Sequence, residues 1–277
     1  MKPIKRLTSP LLTHTRGLRI VLGHTLVAIF LIVVTTSGRT QNPTTTARPS
    51  GVLRLRVRVK SDDSTKGLSR KRFFLLRGTL EQNQSWIEGA TQQPLPTRDC
   101  YYSKLGASQA LIDWLKEGDC ESVYCREIEQ DSIVGTKAVP EFAMAFAAGE
   151  KEFGNSEIAR KWLVTNIPSK LREGFYLDRR TAIQALLKQA EALSGSQVIS
   201  VMTDRNGTAY FTDLEPGSYV LSNLLPFELG QRTLSWNCDV LVKPGDIATE
   251  KPYLVSNTKD RTVKCVATEK PLPVCEK

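Results

Sequence analysis

The residues of this 277-residue chain whose chemistry is easiest to name are six cysteines, Cys100, Cys120, Cys125, Cys238, Cys265 and Cys275. No tight C-x2-C knuckle is present, so the set points to disulfides in an oxidising compartment rather than to zinc. Three cysteines lie between positions 100 and 125 and three between 238 and 275. Groups of odd size cannot pair completely within themselves, so at least one bridge must join them and staple the two ends of the body together. Carboxylates are the next candidates. Glu150, Glu152 and Glu157 cluster near a helix junction, and glycoside hydrolysis needs only a pair of such groups; a solvated helix surface explains them equally well. Trp86, Tyr101, Tyr102 and Trp236 offer flat rings of the kind that stack on sugars, and each also suits a core or its rim.

Other chemistries are excluded. Both histidines, His14 and His24, precede the body, which removes Ser-His-Asp and Cys-His hydrolysis and any His-bearing zinc site from the folded part. No phosphate-binding glycine loop, dinucleotide fingerprint or nucleophile elbow occurs. Asp204, Asn206, Gly207 and Asp213 have the residue types of a calcium loop, but an EF-hand register puts Met202 at the first ligand position, so the stretch reads as a turn. The expectation is a non-enzyme without cofactor or metal.

The net charge of +9 is concentrated at the start: Lys2, Lys5, Arg6, Arg16, Arg19, Arg39 and Arg48 precede residue 51 with no acid among them, leaving about +2 on residues 51–277. That is too little for a nucleic-acid face. An apolar run at 20–34 follows the first five cations, which is a signal-sequence layout. Its helix would rise about 22 Å against a hydrocarbon core of roughly 30 Å. Val34/Thr36 and Thr36/Gly38 depart from an A-x-A site, so cleavage and retention as an anchor both stand; either way the body is exported. Residues 39–51, with two prolines and no apolar period, form a linker.

The body must then position these groups. Leu53, Leu55, Val57 and Val59 alternate with Arg54, Arg56, Arg58 and Lys60, a strand whose cations keep one sheet face solvated and discourage edge pairing. Asp62, Asp63 and Gly67 read as a turn, and Phe73–Leu76 as a buried strand, so residues 52–93 supply the first strands. Helical spacing takes over from 94 to 195. One helix carries Ala110, Leu111, Trp114 and Leu115. Pro140 begins another with Phe142, Ala143, Phe146 and Ala147 on one face, and Asn155 or Ser156 caps a third with Ile158 and Trp162 inward, ended by Pro168. Asp178 caps the last, with Ala182, Ile183, Leu186, Leu187, Ala190 and Leu193 on one face until Ser194-Gly195. Strands return over 196–256, with a tight hairpin at Asp204-Arg205-Asn206-Gly207, and 257–277 is a cysteine-containing tail. The pattern predicts an α+β fold: an antiparallel Ig-like β-sandwich, interrupted by a helical insertion of about 100 residues and preceded by an N-terminal signal or anchor helix.

The segment Thr203-Asp204-Arg205-Asn206-Gly207-Thr208-Ala209-Tyr210-Phe211-Thr212-Asp213-Leu214-Glu215-Pro216-Gly217-Ser218-Tyr219 resembles the T-D-x-x-G-x-x-x-F-x-x-L-x-P-G-x-Y signature of carboxypeptidase regulatory-like domains, shared by prealbumin-like and Cna-B-type sandwiches. Physically, Gly207 and Gly217 serve turns, Phe211, Leu214 and Tyr219 fill an inter-sheet core, and Pro216 fixes φ between two strands. The resemblance implies a carbohydrate-binding-like fold and a non-catalytic accessory module, and it transfers no functional residue. The expectation is therefore an exported or envelope-anchored protein, periplasmic, secreted or membrane-held, that docks a protein partner through its insertion. The alternatives are a carbohydrate-binding module with a glycan ligand and a carboxylate-based hydrolase. A membrane contact would run through the N-terminal segment, and no nucleic acid is involved.

Overall fold

The structure, a computed structural model, describes residues 50–61, 64–91, 95–245 and 251–275. The expected signal or anchor at 1–38 and nearly all of the linker lie outside the described residues, as do Asp62, Asp63 and Asp246. Among the described residues no helix is long and apolar enough to cross a membrane.

Alternation of apolar and cationic side chains produces β1 (Gly51–Ser61), with Leu55, Val57 and Val59 buried and Arg58 and Lys60 exposed. The strand is central, which corrects the expected edge-guarding role. β10 (Tyr253–Ser256) pairs with it in parallel on one side; on the other, β5 (Thr208–Leu214) covers its first half and β2 (Ser64–Gly67) its second, both antiparallel. Gly67 thus ends a strand instead of lying in a turn. β11 (Cys265–Val266) adds to β10 in parallel and completes five strands. These two parallel pairings depart from the expected antiparallel pattern.

The second sheet has four antiparallel strands in the order β4 (Ile199–Met202), β3 (Arg72–Arg77), β6 (Gly217–Ser222), β9 (Asn237–Val242). A three-stranded sheet, β12 (Thr268–Pro271), β8 (Arg232–Ser235), β7 (Phe227–Leu229), stands beside them. One apolar core joins all three sheets, containing Leu55 and Val57, Phe73 and Leu75, Phe211 and Leu214, Tyr219 and Leu221, Leu234 and Trp236. The expected tight hairpin is corrected too. Asp204 Oδ1 accepts from Asn206 N and Thr208 N, both at 2.8 Å, and closes the turn, yet β4 and β5 join different sheets. Gly207 explains the divergence: its carbonyl accepts from Val57 N at 2.7 Å, and any Cβ there would overlap the Val57 carbonyl.

Phe73–Leu76 are all buried because both faces of β3 are covered. Phe74 and Leu76 pack on the outer side with Trp86 of α1 (Leu80–Thr91), Ala190 of α6 (Phe175–Ser194) and, partly buried, Ile183, Leu186 and Leu187. Helix α1 falls within the stretch expected to hold only strands. The remaining helices, α2 (Arg98–Lys104), α3 (Gln109–Glu117), α4 (Pro140–Phe153) and α5 (Ser156–Trp162), share a separate core around Tyr102, Leu111, Leu115, Phe142, Leu163 and Phe175. Pro140 opens α4 and Asn155 Oδ1 accepts from Ile158 N at 3.0 Å to cap α5. Two faces differ from expectation. Ile158 and Trp162 are 40% and 53% exposed while Ala159 and Leu163 are buried, and Leu193 is 74% exposed. The reason at α5 is close helix contact: a Cβ at Gly149 of α4 would stand 3.1 Å from the Ala159 Cβ, so the small residue faces inward and the large ones turn outward. Asp178 lies in the first turn of α6, which continues from a π turn at Lys170–Gly174, and is not its cap.

The bonds Cys100–Cys275, Cys120–Cys125 and Cys238–Cys265 use all six cysteines. Cys100–Cys275 is the bridge between the two groups that parity requires, and three disulfides fit an oxidising, extracytoplasmic setting.

Candidate functional site

The expected sugar platform does not form as predicted. Trp86, Tyr102 and Trp236 are 8%, 0% and 0% exposed. Trp86 lies between α1 and the four-stranded sheet, and Trp236 is locked by Nε1 donating to Ser256 O at 3.0 Å. Tyr101 is half-buried, its ring 5.3 Å from Tyr102 and 5.6 Å from Phe175. Burial raises the Tyr101 phenol above its ordinary pKa, with a further push from Asp178. Burial likewise raises that of Tyr102. The carboxylates are dispersed in function: Glu150 accepts from Ser156 Oγ, Glu152 is exposed, and Glu157 lines a cleft of about 710 Å³ that neither of the others lines. That cleft carries both signs of charge, and its Arg160 is already held by Gln130 Oε1 at 2.6 Å and Ile128 O at 2.8 Å. Among the described residues no cluster of three or more His, Cys, Asp or Glu is placed to hold a metal ion. The motif residues have structural work: Phe211, Leu214 and Tyr219 are core, and Asp204, Asn206 and Gly207 build the turn. Pro216 accepts from Arg77 Nη2 at 3.1 Å beside Gly217.

A second cleft, of about 650 Å³, lies where the insertion meets the edge of the four-stranded sheet. One wall is the approach to β3 (Arg70, Lys71, Arg72) with Ser200 and Met202 of β4; the other is α6 (Tyr176, Arg179, Arg180, Ile183, Leu187) and the segment after α3 that holds Asp119 and Glu121. The volume is that of an ordinary ligand site. Five cations face two carboxylates here, and both carboxylates are engaged: Lys71 Nζ stands 2.5 Å from Asp119 Oδ2 and Arg179 Nε 3.1 Å from Glu121 Oε1. Arg70, Arg72 and Arg180 form no ion pair among the described residues, and all three are exposed. Arg72 is aimed by donating from Nη1 to Ser200 Oγ at 3.1 Å.

The floor is rigid. Arg98, nearly buried, donates from its backbone N–H to Glu228 Oε1 at 2.8 Å and from Nη1 to Cys120 O at 3.2 Å. Lys116 Nζ donates to Asp99 Oδ2 at 2.7 Å, and Arg179 Nη2 reaches Pro226 O at 3.4 Å. The contacts of Arg98 with Glu228 and of Arg179 with Pro226 tie the insertion to the region of β7, while Arg98–Cys120 and Lys116–Asp99 join parts of the insertion to one another. Arg70 and Asp119 hold left-handed φ of 55° and 50°, a conformation that non-glycine residues adopt at a cost. The cleft thus joins apolar walls to guanidinium groups without an ion-pair partner among the described residues, suited to anionic groups attached to apolar ones. Sequence reasoning missed these residues, although the Arg70-Lys71-Arg72 run and the Arg179-Arg180 pair were visible.

Comparison of the chain with protein-family models, with curated proteins and with solved structures finds no match.

Proposed function

We propose that this is a non-catalytic, exported accessory protein, built on a β-sandwich of the regulatory-like, prealbumin-related type, that docks a protein partner where its helical insertion meets the sheet. The single observation that carries the reading is the second cleft, with Arg70, Arg72 and Arg180 unpaired above walls containing Ile183, Leu187 and Met202. The exposed Ile158 and Trp162 on α5 add apolar surface on the same insertion; of the four rings expected to form a glycan platform, Trp86, Tyr102 and Trp236 are buried and Tyr101 is half-buried. The shared core of the sheets and the turn chemistry at Asp204 and Gly207 support the sandwich type, and the three disulfides support export to the cell envelope.

The test is paired capture from cell-envelope extract, with the oxidised full chain and its Arg72→Glu/Arg180→Glu variant as baits and a glycan fraction as competitor. A protein retained by the parent and lost by the variant is the expected outcome. Equal retention by both, or displacement by the glycan fraction, overturns the proposal.

A further inference from the structure

The structure assigns to this cleft a mode of recognition: we propose that an extended polypeptide segment carrying acidic and apolar side chains adds as a strand to the open edge of β4. The inference rests on the docking reading above and deepens it.

The edge is defined by hydrogen-bond alternation. Thr203 N donates to Lys71 O at 2.9 Å, and the β3–β4 register pairs Val201 with Phe73 and Ile199 with Leu75. In an antiparallel ladder bonded pairs alternate with non-bonded ones. The odd-numbered residues therefore bond to β3, while the backbone groups of Val198, Ser200, Met202 and Asp204 point away from it. The two ends are closed: Val198 N donates to Glu191 Oε1 at 3.1 Å, and Asp204 N to Thr208 O at 2.8 Å. Between them, among the described residues, β3 is the only strand paired with β4, so the N–H and C=O groups of Ser200 and Met202 form a short window open to any further strand, and both residues are exposed. Unpaired edges of this kind are templates for strand addition unless protected by charge, proline or a cover.

The cleft selects what would pair there. Side chains of Ser200 and Met202 lie on its wall, opposite Phe74 and Arg72 in the register. A strand added at this edge places every second side chain on the same face, toward Arg72 and Arg180 and toward Ile183 and Leu187. Acidic groups match the first pair and aliphatic ones the second. A glycan or an anionic amphiphile would satisfy the arginines, but only a polypeptide also pairs the window of backbone groups.

The test is titration of the oxidised full chain with an acetylated, amidated octapeptide bearing Glu and Leu in turn at even positions and Ser at odd ones. Two N-methylated forms, at odd or at even residues only, and a form with Lys for Glu serve as controls. The proposal expects one N-methylated register to lose about tenfold or more in affinity and the other to stay within about threefold of the parent, since only one register donates to the edge. Arg72→Glu/Arg180→Glu and the Lys peptide should each lose about tenfold or more. Met202→Pro, which removes an outward N–H from an edge strand, should weaken the parent peptide likewise. Equal binding of both N-methylated forms overturns strand addition while arginine dependence leaves the docking reading intact. Equal binding of the Glu and Lys peptides overturns the acidic occupant, and displacement of the peptide by a uronic-acid oligosaccharide at comparable affinity puts a glycan in its place. Failure of the docking reading itself shows separately, as capture indifferent to the arginine variant.

Discussion

Arg77 lies against Gly217 so closely that a Cβ built on the glycine would stand 3.0 Å from the arginine Nη2. The same guanidinium donates from Nη1 to the Tyr219 hydroxyl at 2.6 Å, and that hydroxyl donates to Glu215 O at 2.7 Å. Gly217 has a φ of 147°, which L side chains rarely adopt. Backbone and packing thus both require glycine at the start of β6. Gly217→Val should destabilise the body by about 1–3 kcal/mol, read as a lower midpoint in urea unfolding; an unchanged midpoint would remove Arg77 and the turn from the account.

Cys100 and Cys275 are separated by 175 residues and their Cα atoms by 5.1 Å. The bond fixes the last described residues to the start of α2, next to the Arg98 network beneath the cleft. Replacing both cysteines by serine should lower stability by about 2–4 kcal/mol, since a long loop is released in the unfolded chain. Non-reducing peptide mapping of the parent checks the pairing directly, with a Cys100–Cys275 fragment as the expected product.

The end of α5 and the residue that follows it provide a contrast between neighbours. Leu163 is 2% exposed, whereas Trp162 is 53% exposed. Leu163→Ala should cost about 2–5 kcal/mol through lost burial and a cavity, and Trp162→Ala should remain within about 0.5 kcal/mol, as surface changes do. Thermal unfolding of the two variants distinguishes this arrangement from one in which the tryptophan points inward.

The same helix shows what was legible in the sequence. Spacing and caps located the helices beginning at Pro140 and Asn155 and the stop at Gly195, because these signals are local. The inward face of α5 was misread because burial of Ala159 instead of Trp162 depends on Gly149 of another helix. Helix α1 was overlooked although Thr79 and Gln82 form a reciprocal cap, Gln82 Oε1 accepting from Thr79 N at 2.9 Å and Thr79 Oγ1 from Gln82 N at 3.3 Å; its mostly polar sequence hides the period. The parity of the cysteines foretold a long-range bridge. The cleft was not legible, since its cations come from segments more than a hundred residues apart and only the fold shows which of them meet a carboxylate.

One buried phenol, Tyr102, and one half-buried one, Tyr253, make stability depend on pH at the alkaline end. Burial, with a smaller push from Asp239, raises the Tyr253 pKa to about 12, and its hydroxyl donates to Asp239 O at 2.8 Å. Burial also raises that of Tyr102, reinforced by Tyr101. An unfolded tyrosine loses its proton near pH 10, so between about pH 10 and about pH 12 the unfolded chain binds fewer protons than the native one, and stability falls as pH rises. The contribution is fully present below that window. Tyr253→Phe should therefore lose stability at pH 8, by about 0.5–1.5 kcal/mol for the missing hydrogen bond. Its decline from pH 9 to 11 should be shallower than that of the parent, so the difference between the two narrows. Urea midpoints measured across that range check the sign: parallel curves would show that the Tyr253 phenol ionises alike in the folded and unfolded chains.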